Sequence, residues 1–142
     1  MPDITRQQVV DTARSYIGTK FVRSGRSKTA GVDCVGLLTV VGRDLGLDIR
    51  DILNYDFEPK PGVFLDIIRS QTDYHPMGSF KPGTIVLLRQ SIFPMHAGII
   101  GRDASGATVI NANMRARKVI EEPIAKWRSE IIELRDYKGL VN

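Results

Sequence analysis

The sequence is poor in the groups from which disulfide frameworks, metal sites and membrane spans are made. Its 142 residues include one cysteine, two histidines and one tryptophan. A single thiol closes no internal disulfide and cannot by itself supply a zinc site. No run of about 18 apolar residues occurs, so no membrane-spanning helix is expected. The opening residues, Met1-Pro2-Asp3-Ile4-Thr5-Arg6-Gln7, carry no basic leader followed by an apolar stretch. No secretory signal peptide is therefore expected, and action outside a cell would need a route other than general secretion. Internal repeats, low-complexity tracts and interdomain linkers are likewise missing, which makes residues 1–142 a single domain.

What is present is an ordinary globular composition, 42% hydrophobic and 25% charged, sufficient for a real core. The formal net charge is +4. Lys20, Arg23, Arg26 and Lys28 gather before the cysteine, and Arg115, Arg117 and Lys118 form a second knot. Such knots attract anionic polymers, nucleic acid or cell wall among them, although a solvated basic surface is the plainer reading. Aromatic residues are not interleaved with the basic ones, and no zinc-finger or RNA-binding signature occurs. Nucleic acid is not an expected partner.

Helical periodicity comes first along the chain. Val9, Val10, Ala13, Tyr16 and Ile17 recur at helical spacing and predict an amphipathic helix over 4–17, with a Thr5/Gln8 capping box and a stop at Gly18. A loop rich in Gly, Ser and Lys leads to a second helix that starts at Asp33 or Cys34, buries Val35, Leu38, Val40, Val41 and Leu45, and ends at Gly46. Residues 48–61 read as a loop. Val63 to Ser70 read as a short helix with Phe64, Ile67 and Ile68 inward. After the turn Lys81-Pro82-Gly83 the texture becomes that of strands, at 84–89, 96–101, 108–113, 118–122 and 131–137. Helices followed by a run of strands predict an α+β domain with an antiparallel sheet.

Three side chains stand out. Cys34 opens the second helix, where backbone N–H groups favour a thiolate and so prepare a nucleophile. His96 begins a strand that turns through residues 102–106 into Thr108-Val109-Ile110-Asn111. A hairpin symmetric about residues 103 and 104 would pair position 96 with 111 and put imidazole and amide on one face. The amide oxygen would then fix the ring's tautomer, as in a Cys-His-Asn arrangement. Each residue also has a plain reading: a buried small hydrophobe, a satisfied structural histidine, a turn asparagine. His75, in a Tyr-His-Pro segment, has no partner by spacing and reads as a surface residue.

At these positions the sequence resembles the NlpC family of papain-like cysteine peptidases, which cut bacterial cell-wall stem peptides. The matching pieces are Gly18-Thr19-Lys20-Phe21 with Gly25, Asp33-Cys34-Val35-Gly36-Leu37, Pro82-Gly83, His96-Ala97-Gly98-Ile99 and Val109-Ile110-Asn111-Ala112, in the family's order. Gly25-Arg26-Ser27 leading to Gly31-Val32-Asp33-Cys34, and the segment carrying Arg117-Lys118-Val119-Ile120-Glu121 and Trp127, are similar to its phage and prophage branch. In that branch the domain accompanies tail genes, including those of gene transfer agents.

The resemblance implies a papain-like fold, with the nucleophile at a helix start packed on an antiparallel sheet. It implies catalysis by Cys34, His96 and Asn111 on the bond between γ-D-glutamate and a diamino acid, with no metal or organic cofactor. It also implies substrate contacts from Asp33, Phe21 and Val35, tail-hub or tail-tip proteins as partners, and a place in a virion tail or in the cytoplasm before release. Asp33 has two readings there, a helix cap and a site for the substrate's free amine. Many members carry tyrosine at the position of Phe21 and serine at that of Val35, so strict recognition of a free L-alanine end is not expected. Histidine is the commoner third polar residue. Other classes compatible with the sequence are a silent structural tail protein of the same fold, an amidase or acyltransferase on the same scaffold, and, from charge alone, a nucleic-acid-binding module.

Overall fold

A computed structural model describes residues 3–50, 61–89 and 96–141. In chain order these form β1 (Ile4–Thr5), α1 (Arg6–Arg14), β2 (Arg26–Ser27), β3 (Gly31–Val32), α2 (Cys34–Asp44), α3 (Pro61–Gln71), β4 (Thr72–His75) and β5 (Ile85–Leu88). The chain continues through β6 (His96–Asp103), β7 (Gly106–Asn113), β8 (Lys118–Pro123), a 3-10 helix (Ile124–Glu130), β9 (Ile131–Tyr137) and β10 (Leu140–Val141). The expected loop over 48–61 falls largely outside the described residues, as does the side chain of Phe64.

The capping box forms as the sequence predicts: the Gln8 N–H donates to Thr5 Oγ1 at 3.1 Å, and the Thr5 N–H donates to Gln8 Oε1 at 2.8 Å. Val9, Val10 and Ala13 are buried along α1. The helix is shorter than its apolar spacing implies. It stops at Arg14, where the Ser15 hydroxyl bonds back to the Thr12 carbonyl, so Ile17 ends up 47% exposed instead of facing the core. At the other end, Ile4 and Thr5 pair in parallel with Leu140 and Val141.

Helix α2 is capped by Asp33, whose Oδ1 accepts the Gly36 N–H at 2.7 Å. Its buried side includes Leu38, Val40 and Val41 as expected, while Val35 and Leu45 are only part-buried. The first turn packs against the preceding loop at a distance only glycine permits. A Cβ at residue 36 would stand 2.0 Å from the Gly25 carbonyl oxygen.

Six strands form one antiparallel sheet in the order β4-β9-β5-β6-β7-β8. One face carries α1 and α2 over a core that includes Ile85, Leu87, Ile99 and Ile110. The opposite face buries Val86, Leu88, Ile100, Val109 and Leu134 beneath the 3-10 segment and its Trp127. Coverage on both faces accounts for the uninterrupted apolar run of β5, where alternation would mark a half-exposed strand.

His75 is not a surface residue. It is 5% exposed; Nδ1 lies 2.8 Å from Asp136 Oδ2 and Nε2 lies 2.8 Å from the Ser79 carbonyl oxygen. The Arg6 guanidinium holds the other Asp136 oxygen at 2.9 Å. Pairing of β4 with β9 brings these groups together across some sixty residues of chain, a distance over which local spacing carries no signal.

Candidate functional site

Cys34 is the first residue of α2 and is half-buried. Its sulfur lies by the N–H groups of Ala97 in β6, of Val35 and of Cys34 itself. All three favour the thiolate, as a helix start should. They are outweighed. Burial, followed by the neighbouring Asp33 charge, pushes the thiol up to about 12. The resting group is therefore a neutral thiol, and the thiolate expected from helix position alone is not what this environment produces.

His96 opens β6 and is 3% exposed. Nε2 donates to Asn111 Oδ1 at 2.9 Å, and Asn111 is fully buried. The sequence expectation had the partnership right and the register wrong. The hairpin closes with Asp103 opposite Gly106, and Ile99 opposite Ile110. Continued to its end, that register sets Asn113 rather than Asn111 across from His96. A two-residue shift preserves the face, and the imidazole reaches Asn111 along the diagonal. Burial lowers the His96 pKa below its ordinary value, although the Asn111 bond and the Glu122 charge act in the opposite sense.

The arrangement thus holds a neutral thiol against the start of β6 and a neutral imidazole whose Nε2 proton is committed to Asn111. Nδ1 is left as the basic nitrogen. Proton transfer accompanying nucleophilic attack is the chemistry open to such a set.

Asp33 is 5% exposed and fully engaged. Besides capping α2, its Oδ2 accepts the Ser24 N–H at 2.7 Å and its Oδ1 pairs with the Arg26 guanidinium at 3.2 Å. Phe21 donates its N–H to the Arg117 carbonyl at 2.9 Å and bridges to Val32. Val35 lines a small, mainly apolar cavity with Leu38, Ile67 and Ile68, whose walls also include Thr39, Arg50 and Gln71. The two basic knots meet where Lys20 bridges to Lys118.

Three residues of the cluster, Glu122, Asn113 and Trp127, carry no site role in the sequence reading. The Glu122 carboxylate accepts N–H groups from Trp127 at 2.8 Å, Asn111 at 3.1 Å and Asn113 at 3.4 Å. The Trp127 ring lies 5.3 Å from that of His96, tilted by 30°. Alternation along β7 puts Asn111 and Asn113 on one face, which was available as a signal. Nothing local marks Glu122. Among the described residues no group of three His, Cys, Asp or Glu side chains is placed to hold a metal ion, and no helix is long and apolar enough to cross a membrane.

No family profile matches the chain, and no curated protein resembles it in sequence. Its shape does have counterparts. It superposes on an NLP/P60-family protein similar to a lipoprotein from Staphylococcus aureus with a TM-score of 0.68 and 19% identity, over 100% of this chain and 43% of that one. NlpC2 of Trichomonas vaginalis gives 0.71 and 14%, over 96% and 48%. The NlpC/p60 domain of the peptidoglycan hydrolase SagA gives 0.61 and 19%, over 94% and 98%. The chain spans under half the length of the first two and nearly all of the third. It has the NlpC/P60 fold.

Proposed function

We propose that this protein is a cysteine endopeptidase that hydrolyses peptidoglycan stem peptides at the bond between γ-D-glutamate and a diamino acid, as a component of a phage or gene-transfer-agent tail that helps breach the cell wall. The observation that carries the reading is the 2.9 Å bond from His96 to Asn111, with a half-buried thiol at a helix start lying against Ala97, the next residue of the His96 strand. The fold of the superposed proteins, one of them a peptidoglycan hydrolase, supports the choice of substrate. The tail assignment rests on the sequence resemblance alone.

In this reading Cys34 Sγ attacks the scissile carbonyl carbon while His96 Nδ1 takes the thiol proton. The oxygen gains negative charge and is met by the N–H groups of Cys34 and Val35 at the start of α2. Collapse breaks the C–N bond, His96 returns the proton to the leaving amine, and a thioester remains on Cys34. Water then gives a proton to His96 and attacks the thioester carbon. A free carboxylate leaves, and the thiol recovers its proton. Asn111 holds the imidazole through Nε2 in both halves, so His96 need not reorient between them. Asp33 and Val35, which flank Cys34 in the chain, and Phe21, which bridges to Val32, are assigned contacts to the stem peptide on the sequence resemblance. Because Asp33 already pairs with Arg26, a free substrate amine would have to share or displace that contact.

The test is mass spectrometry of peptidoglycan and soluble muropeptides incubated with wild-type protein and with Cys34→Ala. Fragments split between D-glutamate and the diamino acid, produced by wild type only, are the expected result. Equal cleavage by Cys34→Ala, or none by either protein on both substrates, overturns the reading.

A further inference from the structure

We infer that Glu122 is a positioning residue that fixes which way round the Asn111 amide sits, and through it which nitrogen of His96 is the base. The inference deepens the peptidase reading, since it assigns the origin of the polarity that mechanism needs.

The argument runs through hydrogen-bond valence. An asparagine side chain is nearly symmetric in shape, so packing alone does not decide whether its oxygen or its nitrogen faces a neighbour. A carboxylate accepts only. Glu122 Oε1 sits 3.1 Å from Asn111 Nδ2, which therefore must be the nitrogen, with the Val109 carbonyl as a second acceptor at 3.3 Å. The oxygen is then directed to the other side, where it takes the His96 Nε2 proton at 2.9 Å and the Asn113 amide proton at 3.3 Å. A neutral imidazole carries one ring proton. With that proton held at Nε2, Nδ1 is the lone-pair nitrogen.

Reversing the amide would set its oxygen against the Glu122 carboxylate and its N–H₂ against His96. The ring would then need a lone pair at Nε2 and a proton at Nδ1, where no proton could be accepted from a thiol.

The same carboxylate also holds the indole. Trp127 Nε1 donates to it at 2.8 Å, and the ring lies beside the imidazole at 5.3 Å. One residue of β8 thus fastens the orienting amide and the aromatic shield on the histidine. The hydrogen bonds of Glu122 go to Asn111, Asn113 and Trp127, so it acts on His96 through those groups.

Long-range proton–nitrogen NMR on histidine-labelled protein tests this without substrate, and only two histidines need assignment. Wild type is expected to show His96 protonated at Nε2 alone. Glu122→Ala should give a mixture or the Nδ1-protonated form. Its kcat on muropeptides should fall roughly 10- to 100-fold with KM within about twofold, as when support of a catalytic group is lost.

Asn111→Asp, which sets a carboxylate against Glu122, should lose activity. Adding Glu122→Gln restores a donor facing an acceptor, and the double variant should recover at least about tenfold over Asn111→Asp. This pair keeps the test decisive if Glu122→Ala does not fold. Folded Glu122→Ala with unchanged His96 protonation, or a double variant no better than Asn111→Asp, overturns the inference. Wild type that cleaves nothing while its tautomer responds to Glu122 refutes the peptidase and leaves the positioning role standing.

Discussion

Alkylation of Cys34 by iodoacetamide as a function of pH tests the electrostatic account of the site most directly. The thiol has an ordinary value of 9.0 and is raised to about 12. Only thiolate reacts. At pH 8 roughly one molecule in 10⁴ carries thiolate, against about one in ten for an unperturbed group, a thousandfold difference equivalent to ~4 kcal/mol. Cys34 keeps part of its surface in solvent, so a thousandfold marks the upper end of the retardation relative to urea-unfolded protein. Asp33 is the second cause of the shift, and Asp33→Asn keeps a side-chain oxygen for the cap while removing the charge. That variant should react faster, by less than about tenfold, because Arg26 already sits on the same carboxylate. The assay is intact-mass measurement of carbamidomethylated protein between pH 5 and 11, native and unfolded. Native reaction that reaches its plateau below pH 7 would refute the reasoning, for it would mean a thiolate–imidazolium pair at rest.

Two further expectations belong with it. Because burial lowers the His96 pKa below its ordinary 6.5, the half-maximal point of kcat/KM on the acid side should lie below pH 6.5, with the profile flat past neutrality; a half-maximal point above pH 7 would contradict this. Gly36→Ala drives a Cβ to 2.0 Å from the Gly25 oxygen and 2.9 Å from Arg26 Nη1. It should cost about 1–3 kcal/mol, lower Tm by several degrees and slow turnover through displacement of the α2 start, and an unchanged melting curve would remove the claim of close contact.

The sequence made Cys34 readable because a helix start has a local signature: a capping Asp33, a following apolar period and a closing glycine. It made the shared face of His96 and Asn111 readable because strand alternation survives a register error of two. The register itself was not readable, since it depends on where the turn closes, and Asp103, Ala104, Ser105 and Gly106 all suit a turn. With Ser105 bonded back to the Asp103 carboxylate, the turn closes one residue later than assumed. Glu122 and Trp127 matter only once β8 lies beside β7 and the 3-10 segment folds over the sheet, and neither event leaves a periodic trace. The thiol's ionisation differs from the helix-start expectation for a related reason. Helix position is a local property, whereas burial against β6 is a tertiary one, and the tertiary contribution is larger here.

A neutral thiol that stands alone in its chain also has a particular standing towards oxidants. Peroxide attacks thiolate, and the sulfenic acid it forms is rescued when a second cysteine condenses with it. This sequence has no second cysteine, so no internal disulfide can intercept a sulfenic acid on Cys34 before the irreversible sulfinic and sulfonic acids. The burial and the Asp33 charge that raise the thiol pKa also lower its thiolate fraction, and with it the rate at which peroxide would attack the sulfur.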